Sequence, residues 1–452
     1  MKSINPHHPS EVVLEFEPAG RNGVDKAVRA AKSGLEQWSR APAAERGTAL
    51  TSIARGIEVR SDELVDLMAT EVGKPVSEGR AEVGRAIAIF RYYAQIVLAA
   101  DGETYPSQDG SAWLISRRYP VGVCGLITPW NFPAAIPAWK TAPALAYGNT
   151  VVLKPAPEST ATTTMLCEIA TGHLPDGVLL VAPGDAETGE ALVDHPDVPA
   201  ISFTGSVQVG HAVAGRAAGR GARVQCEMGG QNPSIVLADA DLDAAAKTIA
   251  YAAMGYAGQK CTATGRVLVE APVYDSFKDS LVSAVEELEV FDPFKESCLV
   301  GPMIRLESRD DALGALQRGG GNVLTGGRTP DAEGFYLEPT LVEVTDRSSV
   351  LAKEEVFAPV TAVVEVRDAD DAVAVANDVK YGLSAALFTS DIHRATALLP
   401  RIEAGLVRTN APTTGVEFWA PFGGTKASSI GPREQGFAAR DFYTESRTML
   451  IS

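Results

Sequence analysis

The chain has 452 residues, 45% hydrophobic and 21% charged, which is ordinary globular composition and excludes a disordered or low-complexity protein. The length suits two or three compact units. Lys plus Arg (40) against Asp plus Glu (57) gives a net charge of −17, which sets aside nucleic acid and anionic membrane surfaces as partners.

The opening MKSINPHHPSEVVLEF has no apolar stretch and no small-residue cleavage site, so no secretion signal is read there. Apolar residues at three- and four-residue spacing predict helices over Val24–Trp38 and Ala43–Arg60. Another helix starts at Ser61–Asp62, and a longer one spans Glu78–Ala100. That last helix carries Phe90, Tyr92 and Tyr93, read either as core or as the wall of a substrate tunnel. Residues Tyr119–Trp139 lack charge but carry Pro120, Pro129, Pro133 and Pro137. This excludes a spanning helix and predicts a buried strand–turn–helix.

From Val121 short apolar runs alternate with helical segments. The runs are VGVCGLI, TVVLKP, GVLLVAPG, AISFTG and ARVQCE. The helices between them fall at 134–147, 160–172, 187–194 and 206–218. This alternation predicts an α/β fold with a doubly wound parallel sheet, whose ligands bind beyond the carboxyl ends of the strands. After a boundary near Gly229–Gly230 comes a second α/β unit. Its strands are PSIVLA, TGRVLVE, APVTAVVEV, LSAALFT and AGLVRTN. The tail Asp441–Ser452 is strand-like, has no neighbour in sequence, and is expected to pair across a subunit interface.

Cys124, Cys167, Cys226, Cys261 and Cys298 are odd in number and contain no CxxC, so a reducing cytoplasm is expected rather than a disulfide framework. No HExxH or other ligand spacing occurs, and no metal site is expected. GxxxxGK[ST], GxSxG and GxGxxG are also absent.

Five short segments place reactive groups at element ends. GQKCTATGR puts Cys261 at a helix-to-strand junction, where a thiol is partly exposed. CEMGGQNP puts Glu227 at a strand end, where a desolvated carboxylate suits a general base. TPWNFP fixes the Asn131 amide in a rigid apolar turn that suits an oxyanion. Lys154 ends TVVLK within reach of a ribose or phosphate. FTGS opens a helix at Gly205–Ser206, where pyrophosphate rests. Taken singly, each has a plain reading as well: a packing cysteine, a capping carboxylate, a turn amide, a solvated lysine, a helix cap.

In order, TPWNFP, VVLKPA, FTGS, EMGGQNP, GQKCTA, EEVFAPV and PFGGTKAS resemble the successive signatures of the NAD(P)-dependent aldehyde dehydrogenase superfamily, from about residue 20 onward. The resemblance implies an aldehyde dehydrogenase fold with a Rossmann-like cofactor domain (1–101 and 120–229), an α/β catalytic domain (230–425) and oligomerisation strands (102–119 and 440–452). It implies that Cys261 attacks the aldehyde, that Asn131 and the Cys261 N–H hold the oxyanion, and that Glu227 activates the water that hydrolyses the thioester. One such oxyanion donor is worth about 3–4 kcal/mol in the transition state. Lys154 belongs to both the catalytic and the cofactor sets. The remaining positions implied for NAD or NADP are Ile127, Thr128, Pro129, Trp130, Gly205, Ser206, Met228, Gly229, Glu355 and Phe357.

Where NAD-preferring relatives place a glutamate three residues after the lysine, this chain has Pro157, with Glu158 one residue later. That departure predicts acceptance of NADP. KCTAT and PTTGVEFWAPFGGTKASSIGPREQG are similar to the branch oxidising 2,5-dioxopentanoate (α-ketoglutarate semialdehyde). Succinate semialdehyde, a phosphonoaldehyde and an aromatic aldehyde are the alternatives. The segment Pro412–Trp419 is expected to close the aldehyde pocket, narrowed by Phe418 and Trp419. Arg91, Lys140, Lys260 and Arg408 are the candidate cations for an anionic substrate. A homodimer or homotetramer is expected. A coenzyme A-acylating enzyme and a non-catalytic binding protein are the competing classes. Glu227 weighs against the first, and the Cys261–Asn131 pair against the second.

Overall fold

A computed structural model describes all residues 1–452. The chain opens with a hairpin of β1 (Lys2–Ile4) and β2 (Val12–Glu15). Four helices follow: α1 (Gly20–Trp38), α2 (Ala43–Val59), α3 (Ser61–Val72) and α4 (Val76–Ile96). Their buried residues recur at helical spacing, as Val24, Val28, Ala31 and Trp38 do in α1. In α4 the buried stripe includes the carboxylate Glu82. Phe90 and Tyr93 are core residues, and Tyr92 packs edge-on against Phe418. The tunnel-wall reading of that cluster is therefore set aside.

After β3 (Gly102–Pro106) and β4 (Trp113–Pro120) the first alternating unit begins. It comprises β5 (Val123–Ile127), α5 (Ala135–Ala146), β6 (Thr150–Lys154), α6 (Thr160–Thr171), β7 (Leu179–Val181), α7 (Ala186–Asp194), β8 (Ala200–Thr204), α8 (Val207–Gly219) and β9 (Arg223–Glu227). These strands pair in parallel in the order β9-β8-β5-β6-β7. The order reverses between β5 and β8, which makes their carboxyl ends the ligand crevice. Every residue of β5, β6, β8 and α5 is buried, as expected of a parallel sheet covered on both faces.

The second unit runs through β10 (Asn232–Val236), α9 (Leu242–Met254), β11 (Thr264–Glu270), α10 (Tyr274–Glu286), α11 (Leu306–Gly319), β12 (Asn322–Thr325) and β13 (Thr340–Glu343). It continues through α12 (Val350–Lys353), β14 (Val360–Val366), α13 (Ala369–Asn377), β15 (Ser384–Phe388), α14 (Ile392–Leu398) and β16 (Leu406–Thr409). Its sheet has the order β12-β13-β14-β11-β10-β15-β16, antiparallel only at β12. The chain then returns to the first sheet. The two-residue β17 (Ser429–Ile430) pairs antiparallel with β9, setting Ser429 opposite Glu227.

The tail finds a partner within the chain. After α15 (Ala439–Tyr443), β18 (Thr444–Ile451) pairs antiparallel with β4 of the same chain, from Thr444 opposite Pro120 to Ile451 opposite Trp113. That partner strand is remote in sequence, and β18 keeps its other edge free. The third sheet has the order β18-β4-β3. No helix is long and apolar enough to cross a membrane.

Candidate active site

The turn after β5 carries Asn131, which is buried. Its Nδ2 donates to the carbonyl of Gln259 at 2.9 Å, leaving the second amide hydrogen for a ligand. Its own carbonyl accepts from Lys74 Nζ at 2.6 Å. Gln259 is locked in turn, because its Oε1 accepts from the Ile304 N–H at 2.9 Å and its Nε2 donates to Pro302 at 3.2 Å.

The turn that presents Cys261 is built from left-handed backbone. Tyr256 (φ 56°), Ala257 (φ 53°) and Gly258 (φ 65°) follow α9 in succession. At Gly258 a Cβ would sit 2.2 Å from the Ala358 carbonyl, so no other residue fits without displacement. Asn232 Nδ2 donates to the carbonyls of Cys261 and Ala263, each at 2.8 Å, and its Oδ1 accepts from the Ser384 N–H. Cys261 is partly exposed, and the other four cysteines are buried; all five are free thiols. Burial pushes the Cys261 thiol up to about 12, helped by the charges of Glu355 and Glu227 and opposed by the backbone N–H groups of Cys261 and Thr262.

Glu227 ends β9 and is buried. It accepts a hydrogen bond from Ser429 Oγ at 2.5 Å. Burial raises its carboxyl well above the usual range, and the negative Glu434 raises it further; Ser429, Lys140 and Arg433 act the other way. Lys140, on α5, forms a fully buried ion pair with Glu434 and donates to Ser202 Oγ at 2.7 Å. Lys140 is therefore a structural partner of Glu434 and not a substrate cation.

Two cavities flank Cys261, and Cys261 is the one residue that borders both. The first has a volume of about 300 Å³. Pro129, Trp130, Asn131, Gly205, Ser206, Met228, Gly229, Glu355 and Phe357 of the expected positions line it. Phe357 meets Trp130 edge-on at 5.7 Å. A Cβ on Gly229 would fall 1.8 Å from Glu355 Oε2, and Glu355 accepts from the Gly230 N–H at 3.1 Å. Burial lifts Glu355 to about 7. Ser206 caps α8, and the hydroxyl of Thr204, which lines the cavity, is buried without a protein partner. A helix N-terminus with an unpaired hydroxyl and a glycine-lined wall fits a dinucleotide.

Ile127 and Thr128 lie buried at the end of β5 and do not line the first cavity. Lys154 does not line it either: Nζ donates to Pro155 at 3.0 Å, and burial draws its ammonium down to about 8. Glu227 borders neither cavity. Glu158 forms an ion pair at 2.9 Å with Arg305, a residue of the cofactor-side cavity.

The second cavity, about 190 Å³, is smaller than the ~300–1,000 Å³ of drug-sized sites, so it suits a short aldehyde. Phe132, Trp139, Tyr251, Val416 and Phe422 supply its apolar surface. Pro412 and Thr414–Val416 do come from the expected closing segment. Phe418 and Trp419 do not line it; Phe418 packs on Tyr92 and Trp419 is 55% exposed.

Of the four candidate cations only Lys260 reaches the second cavity, and it is paired with Glu78 at 2.7 Å. Arg91 pairs with Glu58 on the surface. Arg408 donates to the Thr414 carbonyl at 2.7 Å, holding the segment from behind. The cation missed from sequence is Arg85. It lines the cavity, donates to the Val416 carbonyl, and has no carboxylate partner. Its place on α4, one turn beyond Glu82, was the available signal.

The profile of the aldehyde dehydrogenase family matches residues 1–449. An alpha-ketoglutaric semialdehyde dehydrogenase of Bacillus subtilis is 41% identical, covering 100% of this chain and 94% of its own length. A 2,5-dioxopentanoate dehydrogenase of Saccharolobus solfataricus is 36% identical, with 99% and 95% covered. Among solved structures, betaine aldehyde dehydrogenase of Staphylococcus aureus in complex with NAD+ is 30% identical and superposes with a TM-score of 0.97, covering 100% of this chain and 91% of that one.

Proposed function

The chain belongs to the aldehyde dehydrogenase family, and on that premise we propose that it oxidises 2,5-dioxopentanoate to 2-oxoglutarate with NAD or NADP. The observation that carries the reading is Cys261 at the junction of a glycine-lined cavity at the start of α8 and a short cavity holding an unpaired guanidinium. The aldehyde enters beside Cys261 with its carboxylate toward Arg85. The Cys261 sulfur, losing its proton to solvent water, attacks the aldehyde carbon, and the carbonyl oxygen takes the negative charge. The free Asn131 N–H and the Cys261 backbone N–H hold that oxyanion. NAD(P)+, when held in the cofactor-side cavity, would supply the hydride acceptor that this oxidation needs. A thioester on Cys261 results. Glu227, rotated away from Ser429, takes a proton from the water that hydrolyses it, and the acid and the thiol are released.

NADP acceptance is supported by Pro157, which presents no carboxylate to a 2′-phosphate, and by Glu158, whose charge is matched by Arg305. The division into a cofactor domain, a catalytic domain and oligomerisation strands belongs to the same proposal. So does a cytoplasmic location, in keeping with five free thiols.

The test is a panel of 2,5-dioxopentanoate, succinate semialdehyde, a phosphonoaldehyde, benzaldehyde and propanal, each with NAD and NADP, followed by cofactor absorbance. The expected result is the highest kcat/KM for 2,5-dioxopentanoate and comparable use of the two cofactors. Arg85→Met should raise KM for that substrate roughly tenfold or more while leaving propanal within a few-fold, the scale of one charged hydrogen bond. A flat or aromatic-favouring profile removes the substrate assignment and leaves aldehyde oxidation intact. A large NAD preference removes the NADP reading.

A further inference from the structure

A second buried ion pair, separate from Lys140–Glu434, lies beneath the Asn131 turn. Lys74, at the junction of α3 and α4, is fully buried, as is its partner Glu82. Glu82 uses its other oxygen, Oε1, to accept from the N–H groups of Ala134 and Ala135 at 2.8 and 2.9 Å, where α5 begins. Lys74 Nζ donates to the Asn131 carbonyl at 2.6 Å and lies 4.1 Å from the centre of the Phe132 ring and 4.4 Å from that of Tyr256. The two charges thus grip both ends of the segment Asn131–Ala135. Through Tyr256 they also touch the turn that presents Cys261.

Burying such a pair gains little net stability over apolar residues of the same size, so its presence here calls for another benefit. We propose that Lys74 and Glu82 are positioning residues that fix the Asn131 amide at the oxyanion. The Asn131 side chain has one anchor of its own, the Gln259 carbonyl. One hydrogen bond leaves the amide free to pivot. Holding the Asn131 carbonyl and the Ala134 and Ala135 N–H groups fixes the backbone that carries it. A displacement of order 1 Å in such a group costs on the order of 100-fold in rate.

This inference rests on the oxyanion role proposed for Asn131, and the experiment separates the two. Lys74→Met, Glu82→Gln, Asn131→Ala and the two double variants with Asn131→Ala are compared with the parent. The single-turnover rate of cofactor reduction and the cofactor Kd by fluorescence are measured, with thermal melts as a folding control. Lys74→Met and Glu82→Gln are each expected to slow reduction roughly tenfold to 100-fold, with the Kd within twofold. In the Asn131→Ala background the same changes are expected to cost less than about threefold, because the group they position is gone. Losses that multiply fully in that background, or single variants at the parental rate, overturn the inference. An Asn131→Ala enzyme at the parental rate removes the oxyanion reading and the clamp together. If Lys74→Met fails to fold, Glu82→Gln, which keeps both hydrogen bonds to the helix start, decides on the same readouts.

Discussion

A general base must be ionised to act, yet Glu227 sits where ionisation is opposed by burial and then by Glu434. Its folded pKa lies above the unfolded one, so ionising it in the fold costs stability, and that cost appears as pH rises between the two values. The catalytic sign is opposite: water activation gains as pH rises through the raised pKa. Glu434→Gln removes the second cause and leaves Lys140 positive beside Glu227, so both effects lower the Glu227 pKa. The ascending limb of the kcat–pH profile, measured where thioester hydrolysis limits turnover, should move to lower pH. An unmoved limb would mean that another group activates the water. At this scale the sequence showed the residues whose chemistry is overt. Cys261, Asn131 and Glu227 stand in recognisable segments. Lys74, Glu82, Asn232, Ser429 and Glu434 act through burial and through contacts with elements far away in sequence, and only their partners reveal them. Glu82 had left one trace, a carboxylate on the apolar stripe of α4.

The turn Tyr256–Gly258 shows how an element's end holds a nucleophile. Three left-handed residues in succession are unfavourable and persist only because packing enforces them: the Tyr256 N–H donates to Leu299 at 2.8 Å and its hydroxyl to Val72 at 3.3 Å. Gly258→Ala adds the left-handed penalty and a clash with the Ala358 carbonyl, a cost of about 2–4 kcal/mol. The expected outcome is a melting temperature lower by several degrees, together with slowed alkylation or turnover at Cys261. Gly215→Ala is the control: it lies inside α8 with open space around it and should gain about 0.5–1 kcal/mol. Equal melting temperatures for the two variants would show that the turn is not under constraint. Periodicity made the alternating elements legible, and their ends fell within a few residues of the structure. It missed β17, whose two residues carry no pattern, and β12, β13 and α11, which lie in a weakly patterned stretch. The tail is legible as a strand, but its partner within the chain is not, because β4 lies more than 300 residues earlier.

At the scale of the whole molecule, the third sheet leaves its outer strands without partners. Tyr105, Trp113, Leu450 and Ile451 are 43%, 75%, 63% and 56% exposed on it. Such apolar residues along a sheet with free edges form a pairing surface. We propose that it joins copies of the chain as a homodimer or homotetramer. The net charge of −17 opposes association, so apolar burial must outweigh the repulsion. Two results follow. Light scattering should find an oligomer that tightens as salt screens the charge, the reverse of an interface held by ion pairs. Leu450→Glu, which adds charge to the surface, should shift the mass toward the monomer without changing the reactivity of Cys261, since the third sheet borders neither active-site cavity. A parent protein that is monomeric at every salt concentration would leave the exposed residues without this role. An oligomer that loosens with salt would transfer the interface to charged surface elsewhere.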